Sequence, residues 1–169
     1  QFEKQPTVVH PWVVPVKTPI PQLHLISNGE FNTVISNMGA GYMAWRGTDL
    51  TRWQPDPVLD PWGNWLYVQE LVQNQPKPEK LWSASYQPIP EGSADFQVSF
   101  HAHMAVFRRI FDQIVTLMEV TVAPEDPVEI RRFHLINNSD RPRTIRLTSY
   151  GEVILAPSES DARHPAFNK

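Results

Sequence analysis

The chain has 169 residues, a formal net charge of −3, 41% apolar residues, 17 prolines, 7 glycines, 6 tryptophans and no cysteine. No polybasic stripe is present to grip nucleic acid, no apolar run approaches the ~18 residues of a membrane span, and disulfides, thiolate metal sites and cysteine nucleophiles are excluded. Proline stands at about twice its usual ~5%, yet it is dispersed among apolar and aromatic residues, which argues against long helices and against disorder alike.

In chain order, residues 1–20 read as an extended, proline-rich arm, and 21–169 as a β-rich body. Residues 23–26 and 31–35 flank Ser27-Asn28-Gly29-Glu30, and Asn-Gly is a strong short-range hairpin signal because both residues tolerate positive φ. Gly39-Ala40-Gly41-Tyr42 lacks the spacing of a phosphate loop and reads as a tight turn between strands. From residue 38 to residue 90 the chain is dense in Trp, Tyr, Asp, Arg, Pro and Gly but poor in alternation, so it reads as long loops decorating a sheet. All six tryptophans (Trp12, Trp45, Trp53, Trp62, Trp65 and Trp82) lie in the first half.

Residues 91–123 contain no proline, and uninterrupted strand pairing is therefore possible there. Phe96, Val98 and Phe100 alternate with Gln97, Ser99 and His101. Further on, Ile114, Thr116, Met118, Val120 and Val122 share one face, with Asp112-Gln113 as a hairpin tip. A helix over 105–120 also fits Phe107, Ile110, Phe111, Ile114, Val115 and Met118. The β-branched ending Val120-Thr121-Val122 and the prolines that follow favour strands. Residues 128–136 and 144–150 flank the polar turn cluster from Asn137 to Pro142 and read as an antiparallel pair with one wetter face. The class is all-β, an antiparallel sandwich or part of one.

Three constellations could carry chemistry. His101 and His103, read as one strand, would point their rings to the same face at metal-ligand spacing, although alternation with Phe100 and Ala102 explains the pattern without a metal. Asp49, Asp56, Asp60, Glu119, Glu129 and Glu152 are the carboxylates from which a glycosidase-type pair would be drawn. Of these, Glu152 is expected to bind an arginine such as Arg146. The third is the mixture of Tyr42, Trp45, Arg52, Trp53, Asp60, Trp62 and Trp65. Sugars present apolar C–H faces and many hydroxyls, so a sugar site wants flat rings beside groups that hydrogen-bond in pairs.

At these residues the sequence resembles a known family. Leu25-Ile26-Ser27-Asn28-Gly29, Asn37-Met38-Gly39-Ala40-Gly41-Tyr42 with Trp45, Thr51-Arg52-Trp53, Asp60-Pro61-Trp62-Gly63 and Trp82-Ser83-Ala84-Ser85-Tyr86-Gln87-Pro88 follow the order of the glycoside hydrolase family 94 module, also classed as glycosyltransferase family 36. That family contains cellobiose and related disaccharide phosphorylases and the C-terminal part of cyclic β-1,2-glucan synthetases. Ala123-Pro124-Glu125-Asp126, Glu129-Ile130-Arg131-Arg132, the run from Thr148 to Pro157, and His164-Pro165-Ala166-Phe167 are similar to the glucan-synthetase branch.

The resemblance implies a β-sandwich like the galactose-mutarotase supersandwich, seen only in part. In the family a helical linker and an (α/α)6 barrel carrying the general acid follow it. The chain is then expected to be a noncatalytic carbohydrate-binding or structural segment, with no catalytic residue, metal or cofactor of its own. Its candidate glucan contacts are Tyr42, Trp45, Arg52, Trp53, Asp60, Trp62, Trp82 and Tyr86. Expected partners are a β-glucan oligosaccharide, the barrel of the same parent chain and a second copy in a homodimer. The expected location is the cytoplasmic side of an inner-membrane-associated parent, or the cytoplasm otherwise. Residues 73–80 look like a short insertion in a hairpin. The rival function is an interdomain or dimerisation module without sugar affinity. A free-standing mutarotase-like enzyme would need His101, His103 or His134 to converge with Glu119 or Glu129.

Overall fold

A computed structural model describes residues 10–54, 61–71, 80–90 and 95–164. In chain order the strands are β1 (Trp12–Val14), β2 (Leu23–Ser27), β3 (Phe31–Ser36), β4 (Gly41–Trp45), β5 (Thr48–Thr51), β6 (Trp65–Glu70), β7 (Lys80–Ser83), β8 (Asp95–His101), β9 (Met104–Phe111), β10 (Ile114–Val122), β11 (Glu129–Asn137), β12 (Ile145–Tyr150) and β13 (Val153–Ala156). One short helix, α1 (Ser158–Arg163), follows. No helix among the described residues is long and apolar enough to cross a membrane.

The strands form three antiparallel sheets, ordered β1-β8-β9-β10-β11, β13-β5-β4-β3-β2 and β12-β6-β7. The first is the base layer, and its inward row is the alternation legible in the sequence. Val98, Phe100, Ala105, Phe107, Met118, Val120 and Val122 pack with Ile26, Phe31 and Ile35 of the second sheet. At the other end of the same base, Ile114 packs with Val68 and Trp82 of the third sheet, flanked by Phe111, Phe133, Leu135 and Ile145. The two smaller sheets therefore tile one face of the large one, a two-layer sandwich with a split upper layer.

The tight turns follow residue chemistry. Asn28 Oδ1 accepts from the Glu30 and Phe31 amides at 3.1 and 2.9 Å, and Gly29 takes φ 97°, so the expected β2–β3 hairpin is present. Asp112 and Gln113 both have positive φ, 46° and 64°, between directly paired Phe111 and Ile114, the geometry of a two-residue primed turn. The region from Met104 to Val122 is strand, not helix. Gly41 opens β4 at φ 151°, where a Cβ would collide with the Val34 carbonyl oxygen, so the glycine is required.

Three expectations are corrected. The stretch from 38 to 90 is not loop alone, since it supplies β4 to β7. Its alternation is hidden because aromatic residues sit on both faces: Trp65 is buried inward while Tyr42 looks outward, half-exposed. β11 and β12 do not pair with each other. β11 pairs with β10 over nine residues, and β12 crosses to the other layer and pairs with β6. The connection is drawn across by charge: Arg141 and Arg143, just before β12, donate to the buried Glu70 carboxylate of β6, and Arg143 also donates to Asp112. Finally, His101 ends β8 and His103 lies in the following turn, so the two are not neighbours on one strand face.

Glu70 and the Arg143 side chain are each only 2% exposed. Truncating one member strands a buried charge, so Glu70→Ala is expected to lower unfolding free energy by about 3–5 kcal/mol in denaturant titrations, far more than loss of an exposed ion pair. His24, on the inner face of β2, stacks on Phe100 with ring centroids 4.8 Å apart. Its Nε2 is buried with no hydrogen-bond partner among the described residues. Burial holds the imidazole below its ordinary pKa of 6.5, against the opposing pull of the backbone at His101 and Met104. Between the folded and unfolded values the unfolded chain binds more protons, so this contribution is complete above about 6.5 and is lost as pH falls through it. The melting temperature should drop between about pH 7 and about pH 5, and His24→Leu should flatten that slope.

Candidate functional site

The sequence singled out eight residues, and the seven that the structure describes are not gathered at one place. Trp82 lies in the core: it is 0% exposed and stacks on Phe111 at 4.9 Å, so it faces no ligand. A tryptophan at the inward position of a short strand fills the space beneath the third sheet, a role that composition alone does not separate from ligand contact. Trp45 and Tyr86 stand apart from each other. The Arg46 guanidinium lies 5.2 Å from the Trp45 ring at the β4–β5 turn, while Tyr86 packs edge-on against Phe96 beneath Lys17. Asp60 lies outside the described residues, as does Asp56.

Tyr42 and Trp53 do come together. Their rings stack at 5.7 Å with an interplanar angle of 27°. Tyr42 is placed by β4, which turns it to the outer face of the second sheet opposite Val34, and Trp53 sits two residues beyond the end of β5. They wall an open cleft of about 580 Å³ whose remaining lining is Asp49, Gln54, Ser158 and Ala162. Ser158 Oγ donates to Asp49 Oδ2, so α1 forms the far wall and is tethered to β5.

Arg52, between Thr51 and Trp53, is the anchor of this wall. Its Nε and Nη2 donate to Asp161 Oδ2 and Oδ1 at 3.0 and 2.7 Å, a bidentate pair, and Nη1 donates to Glu152 Oε2 at 3.0 Å. The Arg52 amide also donates to the Glu152 carbonyl oxygen at 2.9 Å. With Arg52 at 8% and Asp161 at 5% exposure, this pair is structural, and Arg52 positions the cleft without facing it. The hydrogen bonds to Asp161, followed by the charges of Asp161 and Glu152, raise the guanidinium above its ordinary pKa despite the opposing effect of burial. Glu152 therefore binds Arg52, not Arg146.

Arg52 and Trp62 together line a smaller cleft of about 200 Å³ with Trp65, Tyr150 and Glu152. Trp65 and Tyr150 also line a third opening of about 560 Å³ between the two upper sheets, floored by Glu129 and Arg131. Gly151 carries the chain from β12 to β13 there, and a Cβ on it would collide with Asn64 Oδ1. Sequence reading missed Gln54, Ser158, Ala162, Tyr150 and Asp161. The signal for α1 was present in Pro157-Ser158 followed by Glu159 and Asp161, a helix-start pattern with acids in the first turn.

The described candidates Asp49, Glu119, Glu129 and Glu152 are each engaged with a basic or hydroxyl group. Glu119 accepts from Arg132, with His134 Nε2 at 3.9 Å, and the hydrogen bond to Arg132 holds its carboxyl below the usual range. Glu129 accepts from Arg131 at 2.6 Å and from Thr33 at 2.9 Å. Among the described residues no three His, Asp or Glu side chains stand together as a metal site.

Sequence comparison agrees with the split β-sandwich. The glycosyl hydrolase 94 supersandwich domain matches residues 9–169. The chain belongs to that family. It is 33% identical over 168 residues to the cyclic β-(1,2)-glucan synthase NdvB of Rhizobium meliloti (strain 1021), covering 98% of this chain and 6% of that protein. It is 25% identical over 148 residues to the N,N'-diacetylchitobiose phosphorylase of Vibrio furnissii, covering 85% of this chain and 18% of that enzyme. The supersandwich thus spans a small part of each relative.

The ion cluster generates a direct test. Arg52→Ala is expected to cost about 3 kcal/mol of stability by leaving Asp161 buried without its bidentate partner. It should also release α1, read as faster amide hydrogen exchange across residues 158–163 than across β10.

Proposed function

We propose that this chain is a noncatalytic supersandwich segment of a cyclic β-1,2-glucan synthase-like or disaccharide phosphorylase-like enzyme, and that it contacts glucan through the Tyr42–Trp53 cleft. The single observation that carries the reading is the stacked Tyr42–Trp53 pair beside the Asp49 carboxylate. Two nearly parallel rings offer an apolar face to pyranose C–H groups, and Asp49 and Gln54 offer hydrogen bonds to hydroxyls. Family membership and the activities of the relatives, one a glucan synthase and one a phosphorylase of a disaccharide, support a sugar as the ligand. The catalytic acid then belongs to the barrel of a longer parent, which is also the proposed main protein partner. The parent is proposed to work at the cytoplasmic side of the inner membrane.

A second reading rests on the exposed apolar residues at the β1 edge, Trp12 at 50% and Val13 at 70% exposure. In it the segment is an interdomain or dimerisation module and has no sugar affinity.

The two readings part in one titration. Adding β-1,2-glucan to the full chain should quench or shift tryptophan fluorescence and move the Tyr42 and Trp53 NMR signals. Trp53→Ala should weaken binding by about tenfold or more, as loss of an aromatic platform does. Unchanged spectra at saturating glucan, together with self-association that depends on Trp12 or Val13, would sink the sugar reading in favour of the module.

A further inference from the structure

The Tyr42–Trp53 pair does not end at its cleft. In the register of the second sheet, Tyr42 lies directly opposite Val34, and Val34 directly opposite Leu25. All three point to the outer face, since their neighbours Ile26, Thr33 and Ile35 are the buried ones. Leu25 is 61% exposed on the edge strand β2, and Val34 and Tyr42 are partly exposed. The result is an apolar lane running across the strands, from Leu25 through Val34 and Tyr42 to Trp53.

A second lane runs beside it. Asn32 pairs with Ala44, and Ala44 with Asp49, one outward position along the strands from the apolar lane. This lane places an amide and a carboxylate on the same face, separated by the small Ala44. Two interstrand steps of ~4.8 Å plus the 5.7 Å between the Tyr42 and Trp53 rings make the apolar lane about 15 Å long, the span of roughly three pyranose rings. A face meant only for water has no need of an aliphatic lane, and a face meant only for an apolar partner has no use for an amide within it and a carboxylate at its β5 end.

We infer that the outer face of β2, β3 and β4 is an extended saccharide track, on which a linear β-glucan of about three units lies across the strands from the Tyr42–Trp53 cleft to the β2 edge. Sugar C–H faces rest on Val34 and Leu25, and hydroxyls along one side are bound by Asn32 and Asp49. The inference rests on the glucan reading of the cleft and adds the direction, the length and the residues Leu25, Val34 and Asn32.

The experiment is calorimetric and NMR titration of the full chain with linear β-1,2-linked gluco-oligosaccharides, from the disaccharide to the pentasaccharide. Affinity should rise about three- to tenfold from disaccharide to trisaccharide or tetrasaccharide and then level off, as an aliphatic side chain comes into contact. Leu25 and Val34 signals should move only with the longer ligands. Leu25→Ser, an exposed position whose fold is checked by circular dichroism, should abolish the gain and leave disaccharide affinity within about twofold. Asn32→Ala should act in the same direction.

Length-independent affinity, or a Leu25→Ser protein that keeps the full gain, overturns the track while leaving the cleft reading intact. So does a Leu25 signal that shifts with protein concentration in the absence of sugar, which would assign the lane to a second copy of the chain. Absence of binding at every length overturns the cleft reading itself.

Discussion

The inward face of β10 sets the constraint on which the rest of the molecule depends. Along its nine residues Ile114, Met118, Val120 and Val122 must all be kept from water, and neither upper sheet is wide enough to cover the row alone. Two sheets therefore share it, and their junction is a seam. A backbone hydrogen bond from the Gly41 amide of β4 to the Trp62 carbonyl oxygen ahead of β6 bridges that seam. The openings of about 560 and about 200 Å³ lie along it, because a boundary between two sheets cannot be packed as continuously as the interior of one.

Buried charge sits at two connections of the chain. Arg143 on Glu70 holds the passage from β11 in the base to β12 above it, and Arg52 on Asp161 and Glu152 holds the end of the path from β13 into α1. Such pairs contribute little net stability compared with apolar packing of the same volume, but a wrong crossing would leave each of these ions without its partner in a dry site. The chain is thereby directed to one connection out of several that its hydrophobic pattern alone would allow. The same ion cluster gives the aromatic cleft a fixed wall, so that α1, only six residues long, is ordered by its tethers and not by its own helicity.

Local signals were legible in the sequence wherever one strand faces one core. Asn28-Gly29, Asp112-Gln113 and the alternation from Phe96 to Val122 led directly to the observed hairpins, as they depend on φ preferences and period-2 burial within a few residues. Pairing of β12 with β6 was not legible, since it joins residues such as Ile145 and Glu70 that are distant in sequence, with the ion pair between Glu70 and Arg143 beside them. Residues 38–90 hid their strands for a different reason: Tyr42 and Trp65 carry similar aromatic bulk to opposite faces. The candidate site was half visible. Tyr42 and Trp53 could be named from their chemistry, yet that chemistry could not reveal that Trp82 fills a core position or that Arg52 is committed to Asp161. Both outcomes depend on which side of a sheet a residue meets.

One consequence belongs to biosynthesis. The contact between Arg52 and Asp161 spans 109 positions of sequence, and so does the contact between Ser158 and Asp49. While a ribosome makes the chain, the hairpins of β2 to β5 and the base sheet can form in turn, but the aromatic surface has no far wall until the last strand and α1 emerge. Closing so long a loop carries its entropic cost at the end, after the sheets have already reduced the freedom of the intervening chain. The aromatic cleft is thus closed later than the hairpins that carry its rings, and its closure reports that β13 and α1 have docked.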